Sequence, residues 1–398
     1  MTQQATAMTE LVAEMREAEG AFIAIRHDIH AHPEVGFEET RTAALVAGKL
    51  REWGYDVTTG IGGTGVVGQL KRGLSTRTLG LRADMDALPI EEAGSLPYKS
   101  TVSKTMHACG HDGHTAILLA AAHRLATRET FDGTLNLIFQ PAEEGLGGAS
   151  RMIDDGLFTR FPCDQVFALH NAPGLPVGTF ALRHGCAMAS SDSVTITVTG
   201  KGAHGAMPHQ GCDPVLAASG IVTALQSIVS RNVEPTRAAV ITVGAFHAGD
   251  AHNVIPDTAT LKLSVRALDA DTRQLLQTRI QDMAAAQAHS YGAHAVIDYR
   301  AISRPLINDR AATDIAIDTI TSLVGAARLI HMPDAVMGSE DFSWMTEVVP
   351  GCYVLLGNGT DSHGGCAVHN PAYDFNDAAL TWGAAYFVAL TRRCLHTA

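Results

Sequence analysis

The spacing of hydrophobic and polar positions predicts an α/β fold. Residues 8–31 carry apolar side chains at helical spacing, and Pro33 follows that stretch. A second helix is predicted over about 112–127. Short apolar runs before and after it predict buried strands over 65–70, 79–83, 134–139 and 165–169. Strands that alternate with helices are typical of a mixed, largely parallel sheet flanked by helices.

The pattern changes near residue 188. From there the order strand, helix, strand, strand, helix, strand is predicted over 192–199, 214–231, 238–246, 259–267, 271–290 and 295–299. This βαββαβ order is that of a ferredoxin-like unit. After residue 304 the α/β pattern resumes, with helices over 310–323 and 377–395. We therefore expect a discontinuous first domain, 1–187 and 303–398, with an inserted domain at 188–302.

Composition excludes several classes of protein. The 398 residues are 46% hydrophobic and 18% charged, which is ordinary globular composition. A net charge of −12 argues against a nucleic-acid partner. The apolar run at 116–122 is far shorter than the ~20 residues of a membrane span. Seven scattered cysteines, and no signal-peptide pattern at the N-terminus, predict a cytoplasmic protein.

The 19 histidines are unusually many, and the densest polar cluster is MHACGHDGH at 106–114. Cys109 and His111 are two residues apart, so an extended loop lets both reach one ion. A thiolate with an imidazole suits zinc, cobalt, nickel or manganese better than calcium or magnesium. The alternative is a polar helix N-terminus that Asp112 helps to cap.

Further polar residues follow predicted strands. Glu143 and Glu144 come just after the strand that ends at Phe139, and His170 ends another. Open α/β sheets place their active sites at such carboxyl ends. One glutamate could bind metal while the other accepts a proton from water. The alternatives are a solvated acidic turn and ordinary core or surface histidines.

Together with His369 near the C-terminus, the candidate ligands number five: Cys109, His111, Glu144, His170 and His369. Five are too many for one tetrahedral zinc and suit two ions that share a bridging ligand. Asp86 follows another predicted strand, and we expect it to orient a ligating imidazole. The alternative for Asp86 is a turn residue.

Two other patterns are weaker indications of function. Residues 60–65 match G-x-G-x-x-G, but a strand-like run follows where dinucleotide binding needs a helix. Cys109 could instead be a nucleophile with His111 or His170 as its base. The surrounding set of ligand-type residues favours a metal thiolate.

Nine motifs extend over nearly the whole chain: RHDIHAHPEVGFEE (26–39), RADMDALPI (82–90), MHACGHDGHTA (106–116), FQPAEEG (139–145), ALHN (168–171), GKGAHGAMPHQGCDP (200–214), HNVIPD (252–257), GSEDF (338–342) and VHNPAYDFND (368–377). On these motifs the chain resembles the dinuclear metal amidohydrolases of the aminoacylase and carboxypeptidase G type. Within them it is most similar to the branch of hippurate hydrolases and plant auxin-conjugate hydrolases.

The resemblance implies roles for individual residues. The five candidate ligands match the metal ligands of the family, with Cys109 as the bridging ligand. Glu143 matches the general base. His204, in the inserted domain, matches a histidine that polarises the scissile carbonyl across a dimer interface. Asn253 and Arg266 match positions that hold the substrate carboxylate or the developing oxyanion.

The resemblance therefore predicts a homodimer with two divalent ions per subunit, drawn from manganese, zinc, cobalt and nickel. It places the dimer contact in the inserted domain and predicts hydrolysis of the amide bond of N-acyl amino acids. Net charge and the short apolar runs exclude nucleic acid and a membrane as partners. A dipeptidase or a hydrolytic deaminase could use the same site on a different C–N bond. A protein of another class, a catalytically silent ligand-binding protein, would not need Glu143 beside the metals.

Overall fold

The computed structural model describes residues 3–362 and 364–397. The chain divides into two compact units. The first comprises Met1–Ala187, Ile307–Asp334 and Asp341–Ala398, and the second comprises Met188–Leu306 and Ala335–Glu340.

The part of the first unit that precedes the second contains six helices and most of the strands of the main sheet. The helices are α1 (Gln3–Glu17), α2 (Glu19–Ala31), α3 (Thr40–Glu52), α4 (His111–Thr127), α5 (Gly148–Asp154) and α6 (Leu157–Arg160). The strands are β1 (Asp56–Ile61), β2 (Gly65–Arg72), β3 (Thr78–Asp84), β4 (Gly133–Gln140), β5 (Gln165–Pro173), β6 (Phe180–Leu182) and β7 (Gly185–Met188).

The second unit has the strand and helix order of a ferredoxin-like fold, with a small added ribbon. Its elements are β8 (Ser191–Thr199), β9 (Ala203–His204), α7 (Pro214–Arg231), β10 (Ala239–Ala248), β11 (Val254–Ile255), β12 (Thr258–Ala267), α8 (Ala270–Ser290) and β13 (His294–Ser303). The sheet order is β10-β12-β8-β13, with every neighbouring pair antiparallel. Strands β9 and β11 form a separate two-stranded ribbon.

Local chemistry explains the helix boundaries in the second unit. The Asp213 side chain accepts from the backbone N–H of Val215 and caps α7, and Pro214 occupies its first position. The apolar faces of α7 and α8 pack against the inward-facing residues of the sheet, and together they form one hydrophobic core. The buried Asp192 carboxylate is paired with Arg273 at 2.6 Å, so its charge does not lack a partner in that core.

The C-terminal part completes the main sheet. Its elements are β14 (Leu306–Asn308), α9 (Arg310–Val324), β15 (Leu329–His331), α10 (Ser343–Val348), β16 (Gly351–Gly359) and α11 (Leu380–Cys394). The eight-stranded order is β1-β2-β4-β3-β5-β16-β6-β15. Its central strands β4, β3, β5 and β16 run parallel to one another. The predicted largely parallel sheet flanked by helices, with a ferredoxin-like unit, is confirmed.

Two details differ from the sequence-based prediction. The helix predicted over 8–31 is two helices, α1 and α2, that meet at Ala18. Residues 303–306 and 335–340, which the sequence assigns to the first domain, cluster with the second unit. For residues 335–340 the reason is backbone pairing, because the N–H of Ala189 lies within hydrogen-bond distance of the carbonyl oxygens of Val336 and Gly338. Within the described residues, no helix is both long and apolar enough to cross a membrane.

Candidate metal centre

The candidate ligands lie at one edge of the main sheet. Strands β3, β4 and β5 are parallel neighbours, so their carboxyl ends meet at the same edge. Asp86 follows β3, Glu143 and Glu144 follow β4, and His170 lies towards the end of β5. The MHACGHDGH segment leads into α4 here, and Gly110 takes the left-handed conformation that brings the chain into the helix (φ 93°).

The ligand atoms form two groups that share one residue. Cys109, His111 and His170 place one ligand atom each within 4.8 Å of the others, and so do Cys109, Glu144 and His369. The Cys109 sulfur is 3.3 Å from Nε2 of His170, and Nε2 of His369 is 3.2 Å from a carboxylate oxygen of Glu144. All five predicted ligands are therefore brought together.

Two candidate ligand histidines have one ring nitrogen already in contact with another protein group. Nδ1 of His170 donates to the carbonyl oxygen of Asn171 at 2.7 Å, which leaves Nε2 with its lone pair. Nδ1 of His111 faces Asp86 at 3.2 Å, and its buried Nε2 has no hydrogen-bond partner among the described residues. A buried nitrogen without a partner is costly, and a metal ion satisfies it. The residues present thus fit a transition-metal site.

The protonation states of the ligand groups depend on burial and neighbours. Burial holds the pKa of His170 well below its ordinary value, so its ring is neutral, as a metal ligand must be. Burial raises the pKa of the Cys109 thiol. Hydrogen bonds to Cys109 and Glu144 raise the pKa of His369 to about 10. Metal binding at the second group would therefore release protons.

Asp86 contacts two of the candidate ligand residues at once. One of its carboxylate oxygens faces Nδ1 of His111, and the other accepts from the backbone N–H of Glu144 at 3.0 Å. The side chain is 1% exposed. This is the placement expected of a carboxylate that orients metal ligands.

Glu143 lies beside the ligands without being part of either group that contains Cys109. One atom each of His111, Glu143 and Glu144 lie within 4.8 Å of one another. Oε1 of Glu143 is 3.4 Å from the backbone N–H of Asp341. The Asp341 carboxylate accepts from the side chain of Gln140 at 2.7 Å, where β4 ends. Glu143 is therefore close enough to the ligands to exchange a proton with a molecule held there.

Sequence reasoning did not assign a role to His114 or Asp84, which form a buried pair under the site. Nδ1 of His114 donates to Asp84 at 2.6 Å, and its Nε2 accepts from the backbone N–H of Asn171 at 3.0 Å. Burial alone would raise the pKa of Asp84, but His111, Arg82 and His114 hold it well below its usual range. Both ring nitrogens of His114 are occupied, so it supports the site rather than binding metal. The sequence feature that could have identified His114 is its position as the third histidine of the MHACGHDGH cluster.

The other three predicted site residues are in the second unit. His204 is an exposed residue of β9, paired with Val254 of β11. The backbone carbonyl of Asn253 accepts from Gly205, which places Asn253 in the same ribbon. Arg266 lies on β12, where burial lowers the pKa of its guanidinium. The structure thus brings His204 and Asn253 together and places Arg266 on the sheet.

Comparison with known proteins identifies the class as metal-dependent hydrolases. Residues 80–393 match the description Peptidase family M20/M25/M40. A hippurate hydrolase of Campylobacter jejuni is 48% identical over 97% of this chain and 99% of its own length. The chain belongs to the M20 peptidase family, and the resemblance found in the sequence is confirmed.

Two further relatives agree with this. An IAA-amino acid hydrolase (ILR1-like 2) of Arabidopsis thaliana is 37% identical over 92% of this chain and 84% of its own. A crystal structure of a dinuclear metal-binding M20 peptidase from Bacillus subtilis superposes with a TM-score of 0.81 at 32% identity. It covers 96% of this chain and 100% of that one.

Proposed function

We propose that this chain hydrolyses the amide bond of N-acyl amino acids with two divalent metal ions per subunit. The observation that carries the proposal is the pair of ligand groups that share Cys109, with Glu143 beside them. Two groups with one common sulfur suit two ions and a bridging ligand. The relatives named for hippurate and for IAA-amino acids act on compounds of this class.

The proposed chemistry divides between the metals and the protein. Bound divalent ions supply Lewis acidity, which lowers the pKa of water and polarises a carbonyl. Glu143 takes a proton from the attacking water and returns it to the leaving amine. Asp86 keeps His111 in the orientation that presents Nε2.

The second unit supplies the remaining groups in this proposal. His204, contributed across a dimer interface, donates to the oxyanion that develops on the scissile carbonyl. Asn253 and Arg266 hold the substrate carboxylate or that oxyanion. Arg266 suits this task because a guanidinium binds a carboxylate through two parallel hydrogen bonds.

Metal identity, assembly and location are part of the same proposal. One thiolate among imidazoles and a carboxylate favours manganese, zinc, cobalt or nickel, with availability in the cell deciding among them. The second unit has two sheet-edge strands, β10 and β13, which expose Phe246 and Val296 and suit pairing with a second copy. None of the seven cysteines, all within the described residues, forms a disulfide, which suits the reducing cytoplasm.

The test is amine release from acetyl, benzoyl and indoleacetyl conjugates of several amino acids. Metal-stripped protein is assayed before and after addition of manganese, cobalt, nickel or zinc, and light scattering measures the oligomeric state. We expect release that depends on metal, from a dimer. A folded dimer that releases no amine with any metal would refute the proposal. Ammonia release or dipeptide cleavage would then indicate a deaminase or dipeptidase, and complete inactivity a binding protein.

A further inference from the structure

Glu39 is a buried carboxylate for which the proposed chemistry has no use. It precedes α3, yet its side chain makes no capping hydrogen bond to that helix. Instead Oε1 accepts from the backbone N–H of Ala142 at 2.8 Å, and Oε2 accepts from the hydroxyl of Thr64 at 2.5 Å. The side chain is 0% exposed. Because burying an acidic side chain costs free energy, the groups that Glu39 bonds to indicate what it does.

The partner of Glu39 has an unusual backbone conformation. Ala142 has a φ of 53°, in the left-handed region that residues with a side chain rarely adopt. Only three other non-glycine residues in the described part of the chain have positive φ. Ala142 directly precedes Glu143, so its φ and ψ set the direction in which the chain enters that residue. Such conformations persist where the surroundings hold them.

The surroundings of Ala142 hold it on several sides. Its carbonyl accepts from the backbone N–H of Gly148 at 3.0 Å, while its own N–H is bonded to Glu39. Gly36 approaches so closely that a Cβ there would lie 2.9 Å from that of Ala142. The segment that contains Gly36 and Glu39 is therefore packed directly against the turn that carries Glu143.

We propose that Glu39 is a positioning residue, which holds Ala142 in the left-handed conformation and thereby fixes the direction of Glu143. This inference rests on the proposed function, in which Glu143 moves the proton. Without the carboxylate, Ala142 relaxes towards negative φ and Glu143 turns away from the attacking water. We expect metal binding to be retained, because the candidate ligand Glu144 on the same turn is held separately by the hydrogen bond from its backbone N–H to Asp86.

The first test compares two substitutions at Glu39. Glu39→Leu removes the acceptor, and we expect kcat to fall by ~10²-fold, the cost of a misplacement of about 1 Å, with KM and metal content unchanged. Glu39→Gln keeps an oxygen for the Ala142 N–H and a group that bonds the Thr64 hydroxyl. We expect it to recover most of the lost kcat.

A rescue variant separates positioning from general loss of packing. Glycine adopts positive φ at no steric cost, so Ala142→Gly in the Glu39→Leu background should restore kcat by ~10-fold. Added flexibility alone would lower kcat further. The matched control is Glu129→Leu, which removes another buried glutamate, bonded to Arg124 and Arg392. We expect it to lower Tm and leave kcat unchanged.

A crystal structure of Glu39→Leu gives a readout that does not depend on activity. A negative φ at Ala142 supports the proposal, and a retained positive φ overturns it. A wild-type protein without turnover refutes the proposed function, and this structure then decides the inference alone. With an active wild type, an undiminished kcat in Glu39→Leu, or no gain on Ala142→Gly, overturns the inference. Should Glu39→Leu fail to fold, Glu39→Asp retracts the carboxylate by one methylene and takes its place.

Discussion

One carboxylate oxygen of Asp86 lies 3.2 Å from Nδ1 of His111 and fixes the direction in which this imidazole presents Nε2. We expect Asp86→Ala to weaken metal binding 10–100-fold, as is typical for carboxylates behind metal-binding histidines. Titration with zinc against a competing chelator measures the affinity. Asp86→Asn keeps an acceptor oxygen and should weaken it less. Equal, unweakened affinity in both variants would show that Asp86 has no part in orienting His111.

Glu143→Ala tests the proton acceptor. We expect kcat to fall by ~10²–10⁴-fold, the usual contribution of a general base, with metal content and Tm retained. The control is Glu52→Ala, an exposed glutamate of α3 paired with Lys49. Substantial residual kcat in Glu143→Ala, with the metal content of the wild type, would refute the assignment.

Cys109 is common to both ligand groups, so its loss should affect both ions. We expect Cys109→Ala to lose both metals on dialysis at a controlled free-metal concentration. His170→Ala and His369→Ala should each lose one ion more readily than the other, because each belongs to one of the groups that contain Cys109. Elemental analysis of the dialysed protein gives the stoichiometry. Loss of both ions together in all three variants would argue against two separable positions.

The buried pair of His30 and Asp112 predicts how stability depends on pH. Burial alone would lower the pKa of His30, but Asp112, at 2.9 Å, and Glu92 raise it to about 9. The stabilisation is complete below pH ~6.5, the pKa of an unfolded histidine, and is lost as pH rises towards 9. We expect the free energy of unfolding to fall over this range by on the order of 2 kcal/mol.

Urea unfolding of the metal-free protein at several pH values measures this effect. His30→Gln has no imidazole to titrate, so its free energy of unfolding should vary less between pH 6.5 and 9. The comparison uses the slope with pH rather than absolute stability, since the substitution also changes a buried hydrogen bond. Parallel slopes for both proteins would show that another group carries the dependence.

Elements with strong local patterns could be predicted from the sequence, whereas those that depend on distant partners could not. Helix α7 begins at Pro214, as expected, because Asp213 caps it. The ribbon of β9 and β11 was not predicted, because two-residue strands have no periodicity. Strand β16 is apolar but rich in glycine, and its place in the sheet is set by β5 and β6 rather than by its own pattern.

The same distinction holds at the candidate site. Residue type and position at strand and helix ends were enough to identify Cys109, His111 and His170 as candidate ligands. By contrast, the Glu39 carboxylate accepts from the backbone N–H of Ala142, and the backbone N–H of Asp341 lies 3.4 Å from Oε1 of Glu143. No pattern of side chains along the chain predicts such contacts, because any residue except proline can provide the backbone N–H. The sequence indicated these residues only in that Glu39 and Asp341 are acidic and lie within the motifs at 26–39 and 338–342.

The place of β16 in the main sheet has a consequence for synthesis of the chain. Residues 351–359 lie between β5 and β6, strands that are synthesised 186 and 171 residues earlier, counted from the first residue of each strand. During that interval, which lasts ~10–40 s at a synthesis rate of about 5–20 residues per second, the nascent sheet has an open edge at β5. An unpaired edge is a template for association with other chains. We therefore expect nascent-chain chaperones to shield β5 until β16 has been synthesised and has paired with it. Only after that is the candidate ligand His369 synthesised.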